Sequence, residues 1–329
     1  DINKLKKPVL SDLNEHLEKI KNLTSYLAKN ETPINQDICY ICKCSKRNKL
    51  FSVYGFDYVS CVGCNHVYTT QRYNDDAIKN FYSTNKYWAE VTYANKETYI
   101  YRKNDVAKPK VDFLLEISKF TKKKHWLDIG SGIGDIVSVA QDYGWNATGL
   151  ELSETSVKFA LEYFNVSLER KTLEEYYSRN KDNLKFQVIS MIGLLEHVVN
   201  PIEILGLTHK MLEEDGMIMI QVPNANSLAT HIQECFPENV FRHMSPIEHI
   251  MVFTENSLKI ALEKTGFKPV SFWYHGLDIY EMINNFSLIN TKIPESKFYK
   301  IMVDCLNEMQ YIIDEKKFSD RIIVIAQKK

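Results

Sequence analysis

The sequence has no run of roughly 18 uninterrupted apolar residues, the length that a membrane-spanning helix requires. Its 41 basic and 42 acidic residues leave a formal net charge of −1, so no overall field draws the chain to nucleic acid or to an anionic membrane. Internal repeats and low-complexity tracts are also absent. With 44% hydrophobic and 25% charged residues, the composition is that of an ordinary soluble globular protein.

The N-terminal 20 residues lack the apolar centre of a secretory signal. Cysteines are few and odd in number, seven in all, and four of them form two Cys-x-x-Cys pairs. In a chain of 329 residues, this pattern indicates metal binding in a reducing compartment rather than a disulfide framework. We therefore expect a cytoplasmic protein.

The two cysteine pairs are separated by 18 residues, within the range of four-cysteine zinc sites. The predicted zinc ligands are Cys39, Cys42, Cys61 and Cys64. Gly63 would ease the second turn, Cys44 could replace Cys42 at a less suitable spacing, and His66 is expected outside the shell. Four thiolates close a tetrahedral shell, so the zinc would be structural rather than catalytic.

An apolar run that ends near Asp128 leads into a loop with three glycines at alternate positions, Gly130, Gly132 and Gly134. Glycines directly after a strand let the backbone turn tightly and approach a bulky ligand. Glu151 stands 23 residues after Asp128, near the tip of a second apolar run, where it can accept hydrogen bonds from ribose hydroxyls. An acid just before the loop would repel a pyrophosphate and attract a sulfonium or ammonium group. The pattern therefore favours a cationic ligand over a dinucleotide.

The periodicity predicts an amphipathic helix over residues 9–28, with its apolar face formed by Leu10, Leu13, Leu17, Ile20, Leu23 and Leu27. Further along the chain, predicted strands alternate with helices. The strands are expected at 125–129, 147–152, 166–168, 186–191, 217–222, 267–273 and 321–326. Such alternation predicts an α/β fold with a doubly wound, mostly parallel sheet.

The segments LDIGSGIGD, LELS, VISMIGLLEHVVNP and LEEDGMIMIQVPN resemble the class I S-adenosylmethionine-dependent methyltransferases over about residues 120–275. The resemblance implies a Rossmann-like, seven-stranded, mostly parallel sheet with an antiparallel last strand at 319–327. It also implies the roles of the cofactor-binding residues. Asp128 would orient the methionine end, Glu151 would hold the ribose, and the three glycines would pass beneath the cofactor. The remaining implied contacts are Leu152 on adenine, Thr172 and Leu173 at the adenine edge, and Met191 and Ile192 along the methionine arm.

A similar N-terminal zinc domain occurs in bacterial methyltransferases that act on sugars and related natural-product intermediates, where it helps to cover the substrate. The run from Cys64 to Tyr68, followed by Phe81, Tyr82 and Tyr87, resembles that group. Zinc ribbons also bind nucleic acid, and the basic run between residues 43 and 49 could contact phosphate. Because no extended basic stripe accompanies that run, a substrate-side cap is favoured.

Methyl transfer is an in-line displacement, and a hydroxyl nucleophile gains from a nearby base such as histidine. The candidates are His249 after Glu248, then His197, with His243 nearby. Glu248-His249 is similar to the Glu-His pair that supplies the base and its neighbour in methyltransferases acting on sugar carbons. Pro246 replaces the tyrosine of that group, and the expected C-terminal second domain has no counterpart in the sequence, so oxygen methylation is favoured over carbon methylation.

The predicted organisation is an N-terminal helix (1–37), a zinc module (38–72), a helical connector rich in aromatic residues (73–120) and a methyltransferase core (121–329). Insertions are expected at about 224–253 and 276–317, the second over the pocket or at a homodimer contact. The predicted activity is methyl transfer from S-adenosylmethionine to a hydroxyl of a small polar acceptor, a sugar or sugar nucleotide. The alternatives are a C-methyltransferase on a keto-sugar, and a zinc-ribbon module for RNA or protein on an inactive scaffold.

Overall fold

A computed structural model describes residues 13–74, 96–118, 120, 124–180, 185–240 and 242–329. Within those ranges, no helix combines the length and the apolar character needed to cross a membrane. Some residues singled out above lie outside the described part of the chain, namely Leu10, Phe81, Tyr82 and Tyr87.

The N-terminal part of the chain forms one helix followed by short strands. These elements are α1 (Leu13–Asn30), β1 (Ile34–Asn35), β2 (Arg47–Val53), β3 (Phe56–Cys61), β4 (Val67–Thr69) and β5 (Gln71–Arg72). Leu17, Ile20 and Leu27 are buried on one face of α1, as the spacing predicted. The helix ends three residues before Pro33, which has no N–H to continue it.

The rest of the chain alternates helices and strands. Its first part contains α2 (Lys96–Tyr101), a π-helical segment (Arg102–Ala107), α3 (Lys108–Ile117), β6 (His125–Ile129), α4 (Asp135–Asp142), β7 (Asn146–Leu150), α5 (Glu154–Phe164), α6 (Leu173–Asn180) and β8 (Phe186–Ile192). Its second part contains α7 (Pro201–Met211), β9 (Leu212–Pro223), α8 (Leu228–Cys235), β10 (Met251–Val252), α9 (Glu255–Lys264), β11 (Phe267–His275), α10 (Asp278–Ile289), α11 (Lys297–Asp304), α12 (Leu306–Glu315) and β12 (Arg321–Lys328).

In the described residues, the core sheet has six strands in the order β11-β12-β9-β8-β6-β7. The four strands from β9 to β7 run parallel, and β12 is antiparallel to both of its neighbours. Residues 217–222 of β9 are almost wholly buried, because helices cover both faces of a parallel sheet. The Rossmann-like fold with an antiparallel last strand is therefore present.

Among the described residues, the core sheet has six strands where seven were expected, since residues 166–168 form no strand. The amide of Val166 donates to the carbonyl of Ala160, closing the end of α5 behind the left-handed Asn165. That amide is thus unavailable to a neighbouring strand. Pairing with β7 begins only at Glu169, which forms a single bridge with Leu150.

The expected boundary between the zinc module and the core is crossed by a shared sheet. The four-stranded sheet of the module has the order β10-β4-β3-β2, and its edge strand β10 comes from the core sequence. Met251 pairs with Tyr68, and Val252 pairs with Val67. Because β10 follows the segment that carries His249, the module is joined directly to that segment.

Candidate active site and four-cysteine centre

The loop after β6 adopts a backbone that favours glycine. Gly130, Gly132 and Gly134 have φ values of 70°, 53° and 74°, in the left-handed region. A Cβ on Gly130 would lie 3.1 Å from Cδ1 of Leu194, so the loop also lies close to the residues that follow β8. The three glycines therefore form a tight turn directly beside the end of a second strand.

Glu151, just after β7, is joined to the glycine loop. One carboxylate oxygen accepts the amide of Gly132 at 2.8 Å, and the other accepts the amide of Ser153 at 2.7 Å. Burial raises the pKa of Glu151, and these backbone hydrogen bonds oppose the increase. The carboxylate thus lies where β7 and the loop meet, the position from which it was predicted to bind ribose.

Asp128 is 2% exposed near the end of β6. Its Oδ1 accepts the hydroxyl of Ser190 at 2.5 Å, and Nε1 of Trp126 donates to the same hydroxyl at 2.8 Å. Burial raises the pKa of Asp128 to about 7. A cation bound beside this carboxyl group would favour its charged form.

The other predicted cofactor residues fall into two groups. Leu152 is 40% exposed, and Ile192 is half-buried at the end of β8. Thr172 exchanges hydrogen bonds with Glu175 at the start of α6. The side chains of Leu173 and Met191, by contrast, are packed in the hydrophobic core.

The structure brings the three candidate histidines together. The ring centroids of His197 and His249 are 4.7 Å apart, and those of His243 and His249 are 6.0 Å apart. The backbone amide of His197 donates to the carbonyl of Leu194, the residue whose side chain lies against Gly130. The histidines therefore adjoin the glycine loop through Leu194.

Backbone carbonyls hold two of these rings. Nδ1 of His197 lies 2.7 Å from the carbonyl of Glu248, and Nδ1 of His249 lies 2.8 Å from the carbonyl of His243. A carbonyl only accepts, so each Nδ1 carries the proton in the neutral ring and each Nε2 carries the lone pair. Burial lowers the pKa of His197 to about 4 and that of His249 well below its usual range. Both rings are thus neutral near pH 7 and able to accept a proton.

Two glutamates, Glu196 and Glu248, lie near the histidines. The carbonyl of Glu248 holds His197, whereas the side chain of Glu248 is bonded to Ser245. Glu196, which the sequence reasoning did not place in the site, has an oxygen within 4.8 Å of ring nitrogens of both His197 and His249. The sequence feature that could have indicated Glu196 is its place directly before His197 in the Glu-His-Val segment after β8.

Sequence reasoning also missed a buried charged network beside the histidines. Arg242 forms ion pairs with Glu281 and with Asp320, the latter at 2.8 Å, and both acidic side chains are 0% exposed. His243 lies 3.4 Å from Asp320. Arg242 lowers the pKa of both acids against the effect of burial. The network attaches the histidine segment to the insertion at 276–317 and to the start of β12.

The four predicted ligand cysteines form one cluster. Their sulfur atoms all lie within 4.8 Å of one another, with 3.5 Å between Cys39 and Cys64 and 3.3 Å between Cys42 and Cys61. A tetrahedral zinc ion with Zn–S bonds of about 2.3 Å would place its sulfurs roughly 3.8 Å apart. The donor set and its spacing therefore fit zinc.

The two cysteine pairs have the same backbone. Lys43 donates to the carbonyl of Cys39, as Asn65 does to that of Cys61, and both donors have positive φ. A Cβ on Gly63 would lie 3.2 Å from Sγ of Cys42, so a larger residue there would crowd the cysteine cluster. Cys44 is bonded to a backbone carbonyl outside the cluster.

The cysteine module contacts the histidine segment at several points. His66 lies outside the cluster, and its Nδ1 is 3.2 Å from the hydroxyl of Ser257. The hydroxyl of Tyr58 donates to the carbonyl of His249 at 3.0 Å. Thr69 donates through both its amide and its hydroxyl to the carbonyl of Ile250. The module therefore supports the backbone that carries His249.

A family model described as a methyltransferase domain matches residues 99–271, more than half of the chain. The chain belongs to this methyltransferase family. The match includes the glycine loop, Glu151 and the histidine segment, and it confirms the prediction of the S-adenosylmethionine-dependent methyltransferase class. The matched region begins within α2, inside the helical connector that was expected at residues 73–120.

Relatives of this methyltransferase resemble only part of it. A protein named ubiquinone biosynthesis O-methyltransferase from Glaesserella parasuis serovar 5 (strain SH0165) is 28% identical over 113 residues, 32% of this chain and 48% of that protein. One of the same name from Pseudomonas aeruginosa (strain UCBPP-PA14) is 24% identical, over 38% of this chain and 55% of that protein. The chain thus spans about half the length of the curated relatives it matches.

Among solved structures, magnesium protoporphyrin IX methyltransferase from Synechocystis PCC 6803 with bound SAH has a TM-score of 0.50 and 11% identity. The likeness covers 78% of this chain and 100% of that chain. At this identity, it shows a shared fold and nothing about the acceptor.

Proposed function

We propose that this protein transfers the methyl group of S-adenosylmethionine to a hydroxyl oxygen of a small polar acceptor, a sugar or sugar nucleotide. The observation that carries the proposal is the position of the histidines. Two neutral imidazoles, His197 and His249, adjoin the glycine loop through Leu194. A proton acceptor beside the donor site is what hydroxyl methylation requires.

The residues at the ends of β6 and β7 fit the cofactor. The three glycines carry no side chains, so a ligand can approach the loop backbone closely. Their positive φ values would strain any larger residue at these positions. Glu151 would exchange its backbone hydrogen bonds for the ribose hydroxyls, and the Asp128 carboxylate would attract the cationic methionine end. When bound, S-adenosylmethionine supplies an electrophilic methyl group on a sulfonium.

His249 is the proposed base, and His197 is the second candidate. The lone pair on Nε2 of His249 would take the hydroxyl proton while the oxygen forms its bond to the methyl carbon. Glu248 would contribute through its carbonyl, which holds His197 beside His249. Nδ1 of His249 has no carboxylate partner, because that nitrogen donates to the carbonyl of His243.

The four cysteines are proposed to bind one structural zinc ion, which closes a cap on the acceptor side. Support comes from the contacts of the module, since Tyr58 and Thr69 hold the backbone at His249 and Ile250. The acceptor class rests on the resemblance of this module to those of sugar methyltransferases. The names of the relatives, O-methyltransferases of ubiquinone biosynthesis, support oxygen as the methylated atom.

The test uses the full chain, methyl-labelled S-adenosylmethionine and a panel of nucleotide sugars, keto-sugars and hydroxylated aromatic compounds. We expect label on a hydroxyl oxygen of a nucleotide sugar, with turnover reduced at least about 100-fold in His249→Ala. His231→Ala, a change at an exposed histidine on α8, should leave turnover unchanged. Label on carbon, with exchange of a substrate proton in deuterated water, would replace the proposal by C-methylation. Normal turnover of His249→Ala would reject it as the base.

A further inference from the structure

We infer that Lys110 and Arg321, together with His275 and Gln221, form a binding site for an anionic group of the methyl acceptor, a carboxylate or a phosphate. The site would lie at one edge of the core sheet, on the face that α3 covers. The inference rests on the proposed function only for the molecule that carries the anion. Neither the cofactor contacts nor the base proposed above use any of these four residues.

Arg321 and His275 lie side by side on the face of the sheet that α3 covers. Arg321 begins β12, where it pairs with Pro223 at the end of β9 and with His275 at the end of β11. Side chains alternate along a strand, so Arg321 shares the face of Ile323 and Ile325, which pack in one cluster with residues of α3. Because β9 is parallel to β8 and β6, this is also the edge at which the glycine loop begins.

Lys110 is a buried cation on α3. It is 5% exposed, and among the described residues its ammonium group has no ion pair or hydrogen bond. Burial and then the charge of Arg321 lower the pKa of Lys110 to about 7, although Asp135 and Asp128 act in the opposite direction. A buried cation beside a second cation is costly unless an anion lies in reach. An anion bound between Lys110 and Arg321 would remove this cost.

The acidic groups nearest to these cations have other partners. Asp135 lies 3.6 Å from Arg102. Asp320 lies 2.8 Å from Arg242 and 3.7 Å from Arg321, and the longer distance exceeds that of a hydrogen bond. The carboxyl group near the end of β6 is bonded to a serine on β8. The guanidinium group of Arg321 therefore keeps donors for a ligand.

Two neutral polar groups complete the site. In the described part of the chain, Nε2 of His275 and Oε1 of Gln221 are buried and have no hydrogen-bond partner. Burial and the charge of Arg321 hold the pKa of His275 well below its usual range, so the ring is neutral and one of its nitrogens donates. Gln221 pairs with Ile323, and its amide can rotate to present the NH₂ group. Buried polar atoms without partners are uncommon, and a bound anion would satisfy both groups.

The proposed anion site adjoins the proposed base. The charge of Arg321 acts on Glu196, whose carboxyl group forms a cluster with ring nitrogens of His197 and His249. An acceptor whose hydroxyl lies at His249 would thus present its anionic group to Arg321. The site would favour acidic acceptors, such as nucleotide sugars and sugar acids, over neutral sugars.

The experiment measures the binding of inorganic phosphate and, separately, of acetate to the full chain by calorimetry. S-adenosylhomocysteine is present at saturation, so the cofactor's own carboxylate position is filled and further anion binding reports a different site. The measurement is made at about pH 6.5, where Lys110 is mainly protonated. We expect at least one probe to bind with a Kd of about 1 mM or tighter, and Lys110→Met and Arg321→Gln each to weaken it at least about tenfold.

Lys108→Met is the matched control, because Lys108 lies two residues away on the same helix, is exposed and pairs with Asp112. It should change the Kd by no more than about twofold. If Arg321→Gln fails to fold, Lys110→Met and Arg321→Lys decide the matter.

A Kd above about 1 mM for both probes would overturn the inference, and so would binding that survives the substitution of Lys110 and of Arg321. Variants that bind S-adenosylhomocysteine more weakly but the probes equally well would show that these cations hold the cofactor carboxylate, which would also overturn it. Because no methyl group is transferred in this experiment, failure of the proposed hydroxyl methylation would leave its result intact. The two ideas can therefore fail separately.

Discussion

Arg242 is the cation on which the buried network beside the histidines depends. Its side chain is 9% exposed and is paired with Glu281 and Asp320, each 0% exposed. Replacing Arg242 by leucine keeps an apolar stem of similar reach and removes the charge. Two buried carboxylates then lose their shared partner, while Arg321 remains 3.7 Å from Asp320. Breaking a buried ion pair from one side typically costs about 3–5 kcal/mol, so we expect a loss of that order in the free energy of unfolding.

The loss should depend on pH with a definite sign. Arg242 lowers the pKa of Glu281 and Asp320, so its removal raises both in the folded state. A group whose folded pKa is raised binds more protons in the folded than in the unfolded chain, and the stability therefore falls as the pH rises. Unfolded carboxyl groups titrate near pH 4. The destabilisation of Arg242→Leu should consequently be smaller at about pH 5.5 than at about pH 8.

Urea unfolding followed by far-UV circular dichroism and tryptophan fluorescence measures this difference. Arg170→Leu is the matched control, because Arg170 pairs with Glu154 at the surface, with both side chains about half exposed. The control should change the free energy of unfolding by no more than about 0.5 kcal/mol. A loss below about 1 kcal/mol in Arg242→Leu, or a loss that does not grow with pH, would refute the electrostatic reasoning.

Three further predictions address the cofactor, the metal and the module contact. Glu151→Gln should weaken S-adenosylmethionine binding at least about 100-fold in calorimetry, because hydrogen bonds to a charged group are replaced by weaker ones; unchanged affinity would remove Glu151 from the site. Metal analysis should find about one zinc per chain, lost in Cys61→Ser and retained in Cys44→Ser, and a folded metal-free protein would reject the zinc site. Tyr58→Phe should destabilise the protein by about 0.5–1.5 kcal/mol in urea unfolding, whereas Tyr311→Phe, at an exposed position, should not.

Local patterns in the sequence predicted those features that depend on the backbone and on neighbouring residues. The glycines after β6 are needed for positive φ, and the two cysteine pairs repeat one hydrogen-bonded turn. Strand β6 was predicted with its observed bounds, because its buried apolar residues form a short run in the sequence itself. Thr254 caps the helix that follows it and forms a reciprocal cap with Ser257, three residues along the chain.

The sequence did not reveal how segments far apart along the chain meet. The contact between His197 and the carbonyl of Glu248 spans 51 residues, and the ion pair between Arg242 and Asp320 spans 78. Strand β10 joins a module that begins about 200 residues earlier. Residues 166–168 look like a strand from their composition, yet the amide of Val166 is bonded to the end of α5.

The sequence by itself therefore predicted the methyltransferase class, the glycine loop and the cysteine cluster, because each depends on residue types in short motifs. Only the tertiary structure decided that Glu196 lies beside two histidines and that Arg242 anchors their segment. Those arrangements arise because parallel strands end at one edge of the sheet, where connections of unrelated sequence come within hydrogen-bonding distance. Side chains that meet in this way share no pattern along the chain, and only folding brings them together.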